Sequence, residues 1–251
     1  MNETKKSESL RHDHSISSIR ERLSNQSTPS YLGDFILGAI DGLVTTFAII
    51  SGVAGAKFDI SIALILGVAN LLADGFSMAV SNYFRAKSDH DILEEARATE
   101  ERHIELVPEG EKEEIREIFR KKGFKGAMLD GIVQTVTSDK KLWIDTMLTE
   151  ELGLRLSNPL PLKAALTTFG SFCLVGVVPV LPFIISIFGT IPHIYIISAS
   201  MTFTSFFLLG FYKGHLLHQK RLSMGLETLF LGGGAALIAY FVGRALQLLL
   251  L

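Results

Sequence analysis

The sequence contains a single cysteine, Cys173, among its 251 residues. One thiol can form neither an internal disulfide nor a cysteine-based zinc site, which excludes disulfide-stapled scaffolds and zinc-finger-type domains. A surplus of one charge is also missing, because 24 Lys and Arg oppose 26 Asp and Glu for a net charge of −2. This balance argues against a basic nucleic-acid-binding protein. The first 15 residues lack an apolar run, so no cleavable signal peptide is expected.

Long apolar runs, in contrast, are abundant. Hydrophobic residues make up 48% of the chain, and the mean hydropathy is +0.35. Five runs stand out, at about 35–56, 60–83, 163–188, 194–212 and 226–251. Each is long enough to cross a hydrocarbon core of about 30 Å as a helix. The sequence therefore predicts an all-α membrane protein with five transmembrane helices, rather than a single soluble core or a disordered chain.

The basic residues predict the orientation of these spans. Of the 24 Lys and Arg, 22 lie in residues 1–30, 85–163 and 213–221. Since basic loops stay in the cytoplasm, these segments are expected there, and the C-terminus outside or in a lumen. The predicted organisation is a cytoplasmic tail (1–30), two spans (31–84), a cytoplasmic domain (85–161) and three spans (162–251).

The segment between the second and third spans carries 17 of the 26 acidic residues. Its breakers and charge pattern predict four helices, at about 87–105, 109–122, 125–136 and 139–152, the first continuing the second span. Apolar residues spaced along these helices could form a small core. We therefore expect a compact helical domain.

Polar residues inside the spans are costly and call for an explanation. Asp41 and Thr45 lie one turn apart in the first span, and Asn70, Asp74 and Met78 form one stripe in the second. Carboxylate, amide and thioether groups on one stripe suit a divalent transition metal. The alternative is that the polar groups join helices by hydrogen bonds and Met78 only packs.

The cytoplasmic segment contains three pairs of potential metal ligands with helical spacing. Each pair shares one helix face: Glu100 with His103, Glu111 with Glu114, and Met147 with Glu151. Converging faces would build a metal cluster, whereas a solvated acidic face is the more common meaning of such a charge run.

Two motifs together resemble the vacuolar iron transporter family. They are DGLVTTFAIISGVAGA at 41–56 and ANLLADGFSMAVSNY at 69–83, and the resemblance extends over about 30–251. It implies a five-span homodimer that exports Fe²⁺, often with Mn²⁺ tolerated, from the cytoplasm in exchange for protons. The pathway would run between the two subunits, with Asp41 and Met78 at the intramembrane metal site.

The same resemblance assigns metal binding to Glu100, Glu111, Glu114, Met147 and Glu151 of the middle domain. His103 takes a position where plant members carry glutamate, which makes metal loading more sensitive to pH. Asn70 likewise replaces a glutamate of the plant members, and Asp74 offers a carboxylate one turn later. This departure resembles the bacterial members and favours a cell membrane over a vacuole.

The expected function is thus transport of Fe²⁺, with Mn²⁺, Co²⁺ and Zn²⁺ as further candidate ions, and no enzymatic activity. The absence of a P-loop motif points to a gradient rather than ATP as the energy source. A rival interpretation is a membrane-anchored metal sensor or scaffold, whose spans only anchor and dimerise it. A membrane enzyme with a carboxylate–histidine iron site is a third.

Overall fold

The structure is a computed structural model that describes residues 15–25, 30–157 and 159–250. Most of the predicted N-terminal tail therefore lies outside the described residues. Every regular element in the described part of the chain is helical. The α-helices are α1 (Ile16–Asn25), α2 (Leu32–Gly55), α3 (Ile60–Leu106), α4 (Pro108–Lys121), α5 (Gly126–Thr137), α6 (Lys140–Thr146), α7 (Pro161–Ile185), α8 (Ile194–Leu216) and α9 (Arg221–Leu250).

Four of these helices are long and apolar enough to cross a membrane: α2, α3, α8 and α9. A fifth candidate is α7 with its short 3₁₀ extension, Ser186–Phe188, which bends by 63° between its two halves. The all-helical fold with up to five spans agrees with the sequence prediction. The bend was not predicted. It coincides with Pro179 and Pro182, since proline removes a helical hydrogen bond and clashes with the preceding turn.

The chain divides into two compact units. The first comprises Tyr31–Arg85 and Pro161–Leu251 and so contains the apolar helices. Its helices approach closely at glycines: a methyl group built on Gly42 would lie 2.5 Å from the Phe172 carbonyl oxygen of α7. Ser198 of α8 donates a 2.7 Å hydrogen bond to the Pro179 carbonyl at the bend of α7, which satisfies a polar group that lipid could not.

The second unit comprises Met1–Ser30 and Ala86–Leu160. Val107 interrupts the helical path after α3, and Pro108 then occupies the first turn of α4, where its missing N–H costs nothing. Six buried side chains form the core of this unit, each stabilising it by roughly 1.5–3 kcal/mol. They are Ile115, Leu129, Val133, Val136, Trp143 and Met147.

Two details of this unit test the predicted helices. The continuous helix from the second apolar run into the acidic segment is confirmed, because α3 spans 47 residues. The helix predicted over about 139–152 is present from Lys140 to Glu151, but its second half was not predicted to be a π-helix. After α6, residues Met147–Glu151 widen into a π-helical turn, in which the Leu152 N–H donates to the Met147 carbonyl over 3.2 Å.

Candidate functional site

A cluster of metal-ligand side chains forms where α3 ends and α4 begins. Glu100 and His103 occupy one face near the end of α3, and Glu111 lies in the first turn of α4. The chain reversal at Val107–Pro108 brings Glu111 back towards that face. One ligand atom from each of the three residues lies within 4.8 Å of the other two.

The two glutamates of this cluster are buried, with Glu100 5% and Glu111 3% exposed. The His103 Nδ1 lies 3.4 Å from the Glu111 Oε1. The Oε2 atoms of Glu100 and Glu111 are enclosed, and neither has a hydrogen-bond partner among the described residues. Buried carboxylate oxygens without partners are expensive, and a bound cation would offset that cost. Two carboxylates and an imidazole suit Fe²⁺, Mn²⁺ and Zn²⁺.

The predicted ligands Glu114 and Glu151 are exposed, but they line the same groove as Glu100 and His103. This groove, of about 450 Å³, is also bordered by Glu95, which the sequence did not single out. Met147 is fully buried in the hydrophobic core of its unit. Four of the six predicted cytoplasmic ligands thus line one groove, Glu111 lies close to two of them, and Met147 is packed in the core.

The crowding of carboxylates changes the acidity of Glu111. Burial, followed by the nearby carboxylates of Glu114 and Glu100, raises the pKa of Glu111 from its usual 4.5 to about 7. His103 opposes this shift, since a positive charge favours the carboxylate. A proton and a metal ion therefore compete for the Glu111 carboxylate near neutral pH.

The predicted intramembrane residues lie along the contact between α2 and α3. The Asn70 amide donates to the Thr45 and Thr46 hydroxyl oxygens at 3.3 Å each. The Thr45 hydroxyl in turn donates to the Asp41 carbonyl at 2.9 Å. The carboxylates of Asp41 and Asp74 interact electrostatically, so they repel each other when both are ionised. A cation or a proton between them would relieve this repulsion.

Met78, the remaining predicted residue, is partly buried and packs against the hydrophobic core of the membrane unit. The residue pairs across α2 and α3 show an antiparallel register, because the numbers in each pair add up to 115 or 116. Thr45 and Thr46 pair with Asn70, and Asp41 with Asp74. Met78 follows Asp74 by one turn on the same face of α3. We call this line of polar residues the polar seam.

The seam continues into a buried network that sequence reasoning missed. The Asn82 amide donates to the Asp34 carboxylate at 2.9 Å and to the Thr168 hydroxyl of α7 at 2.7 Å. Arg85 then bonds both Asn82 and Asp34. Asp34 stands one residue before the first apolar run, so the sequence analysis did not count it among the polar residues inside the spans. Its spacing of seven residues from Asp41, two turns on one face, was the available signal.

The long apolar helices define a helical protein with four or five candidate membrane spans, and Glu100, His103 and Glu111 form a group that could hold a metal ion. A sequence model of the VIT family matches residues 32–244. The chain belongs to this family.

Curated relatives match most of the chain. A vacuolar iron transporter of Toxoplasma gondii is 33% identical over 255 residues, covering 96% of this chain and 84% of the relative. Vacuolar iron transporter 1 of Arabidopsis thaliana is 32% identical and covers 85% of each chain. A vacuolar iron transporter of Plasmodium falciparum is 30% identical, covering 86% of this chain and 82% of its own length. The family membership predicted from the two motifs is therefore confirmed. The names of these relatives describe transporters, in agreement with the expectation that the chain is not an enzyme.

Proposed function

We propose that the protein exports Fe²⁺, with Mn²⁺ and other divalent transition metals as further substrates, from the cytoplasm across a membrane in exchange for protons. The observation that carries this proposal is that Asp41 and Asp74, on two helices long and apolar enough to cross a membrane, lie close enough to interact electrostatically. Intramembrane carboxylates are retained at a cost and typically serve ion or proton pathways. The names of the relatives support iron as the substrate.

In this mechanism Asp41 and Asp74 bind either a metal ion or protons. The Asn70 amide and the Thr45 hydroxyl keep the two helices in register beside the carboxylates. Met78 would supply a thioether next to this position, which favours a transition metal over Ca²⁺ or Mg²⁺. Exchange of metal for protons would let a proton gradient drive metal outward.

The cluster of Glu100, His103 and Glu111 would collect metal on the cytoplasmic side. The partnerless oxygens of both buried glutamates support this role. Glu114 and Glu151 at the groove would attract cations, and Met147 would act as a ligand only if its side chain left the core.

We further propose that two copies of the chain form the working transporter, and that it resides in the cell membrane with its C-terminus outside.

Metal uptake by proteoliposomes tests the transport proposal. Vesicles acidic inside, with Fe²⁺ supplied outside, should accumulate iron faster than vesicles without a pH gradient. Asp41→Asn should slow this uptake by about tenfold or more, equivalent to about 1.4 kcal/mol. Asp59→Asn is the matched control, because Asp59 is an exposed carboxylate in the link between α2 and α3. Equal iron uptake by Asp41→Asn and the native protein would refute the proposed site.

The membrane-anchored sensor is the second candidate, and the buried cluster favours it because such a site binds metal with or without transport. Equilibrium binding of Mn²⁺ to the purified protein, measured beside the flux, separates the two. A sensor would bind Mn²⁺ through Glu100 and Glu111 and show no flux under any gradient.

A further inference from the structure

The network at the end of the polar seam contains a buried carboxylate that accepts hydrogen bonds from two side chains. The Asp34 Oδ1 accepts from the Asn82 amide at 2.9 Å and from the Arg85 Nη2 at 3.2 Å. The Thr168 hydroxyl oxygen accepts from the same Asn82 amide at 2.7 Å. The Arg85 Nε donates to the Asn82 Oδ1 at 2.9 Å. The network therefore joins α2, α3 and α7 around one carboxylate.

The two charged members of this network differ sharply in exposure. The Asp34 side chain is 8% exposed, whereas that of Arg85 is 51% exposed. Arg85 therefore reaches solvent from the network, whereas Asp34 is enclosed. Asn82 and Thr168 are buried and would remain beside the carboxylate. A carboxylate that lost Arg85 in this place would be an enclosed negative charge without a cation.

Asp34 lies on the same line of α2 as the seam residues. It precedes Asp41 by seven residues and Thr45 by eleven, close to two and three helical turns, which places Asp34 about 10 Å from Asp41 along the helix. The register of α3 agrees, because Asn82 pairs with Asp34 as Asp74 pairs with Asp41. The basic residues predict that this end of the seam faces the cytoplasm.

We propose that Asp34 is a further cation-binding residue of the transport pathway, at the cytoplasmic end of the polar seam, and that Arg85 occupies it until a metal ion arrives. Arg85 is then a resident counter-ion that the incoming metal displaces towards solvent. Asp34 receives the metal, with the Thr168 hydroxyl and the Asn82 carbonyl oxygen as neighbouring oxygen ligands. This inference rests on the proposed transport function.

The competing explanation is a purely structural role, in which the network only fastens three helices together. The two explanations differ in the sign of one measurable effect. If Arg85 competes with metal, removing its charge strengthens metal entry, whereas removing the Asp34 charge weakens it. If the network only holds the three helices together, both substitutions weaken the same helix packing and should shift metal uptake in the same direction.

The test is the KM for Fe²⁺ uptake by proteoliposomes carrying the native protein, Arg85→Gln or Asp34→Asn. Arg85→Gln should lower the KM about threefold to fivefold, the range that a partly exposed ion pair can contribute. Asp34→Asn should raise it about tenfold, because an amide replaces a charged ligand. A shift of both KM values in the same direction, or a fall in kcat with KM unchanged in both, would overturn the proposal.

Arg85→Lys keeps the test valid if either variant fails to fold. Lysine retains the charge but cannot hold Asp34 and Asn82 together in the forked manner of a guanidinium. If Arg85 competes with the metal ion, the KM of Arg85→Lys should lie between those of the native protein and Arg85→Gln. If the network only holds the helices together, the KM of Arg85→Lys should equal or exceed the native value. An absence of uptake by the native protein would refute the proposed function itself, which separates that failure from failure of the inference about Asp34.

Discussion

Glu111 combines burial, neighbouring negative charge and a position in the first turn of α4. Its pKa of about 7 means that the folded, metal-free protein keeps a proton that the unfolded chain releases near pH 4.5. The free energy of unfolding therefore falls as the pH rises from about 4.5 to 7, by at most about 3 kcal/mol, since one pKa unit equals about 1.4 kcal/mol. Above pH 7 this destabilisation is complete.

This pH dependence is our first prediction for single residues. With a chelator present, the thermal unfolding temperature of the native protein should be lower at pH 7 than at pH 5, and Glu111→Gln should remove most of the difference. Fluorescence of Trp143, the only tryptophan, reports unfolding of the same unit. Glu94→Gln, at an exposed site on α3, is the control and should behave like the native protein. An equal pH dependence in Glu111→Gln would contradict the assignment.

The second prediction for single residues is that a bound metal ion reverses this loss of stability between pH 5 and pH 7. Mn²⁺ binds the ionised carboxylate, so it should raise the unfolding temperature more at pH 7 than at pH 5. His103→Gln should weaken this stabilisation, because it removes a nitrogen ligand beside Glu111. An unchanged Mn²⁺ response in His103→Gln would exclude the imidazole from the metal cluster.

Among the elements, α2 and α7 pack with almost no space between their backbones. A methyl group on Gly42 would lie 2.5 Å from a carbonyl oxygen of α7, and one on Gly38 would lie 2.4 Å from another. Gly42→Ala should therefore force the helices apart and destabilise the protein by about 1–3 kcal/mol, as overpacking does. Gly170→Ala is the matched control, since its methyl group would enter open space.

The yield of monodisperse protein in detergent and its unfolding temperature measure this third prediction. Gly42→Ala should lower both quantities. Gly170→Ala should leave them unchanged or raise them slightly, because alanine favours a helix over glycine. If Gly42→Ala were as stable as Gly170→Ala, the close contact of α2 with α7 would be incorrect.

The same elements illustrate what the sequence could and could not predict. Apolar run length predicted the spanning helices, and uninterrupted helical pattern predicted the extension of α3 to Leu106. The bend of α7 coincides with Pro179 and Pro182, a signal that the sequence offered and that was not used, whereas the π-helical turn at Met147 depends on local hydrogen-bond geometry. Hydrophobic periodicity carries little information on either of these.

The candidate site was likewise predictable from the sequence only in part. Helical spacing predicted that Glu100 and His103 share a face, but only the chain reversal at Val107–Pro108 brings Glu111 to them. The pairing of Asp34 with Asn82, 48 residues apart in sequence, depends on the register between α2 and α3. A single sequence contains no signal for that register, so Asn82, Arg85 and Thr168 were not singled out.

For the whole molecule, charge segregation is the basis of the last prediction, the orientation of the chain in the membrane. Residues 1–30, 85–163 and 213–221 hold 22 of the 24 basic residues, whereas the link at 57–59 and the loop at 189–193 hold only Lys57. Single cysteines at Ser138 and Gln219 should therefore react with a membrane-impermeant maleimide only from the cytoplasmic face, and one at Thr190 only from the opposite face. All three positions are exposed. The background variant is Cys173→Ser, which retains a donor for the Leu71 carbonyl that the native thiol contacts. If Ser138→Cys and Thr190→Cys were labelled from the same face, α7 would not cross the membrane and the predicted orientation of the chain would be wrong.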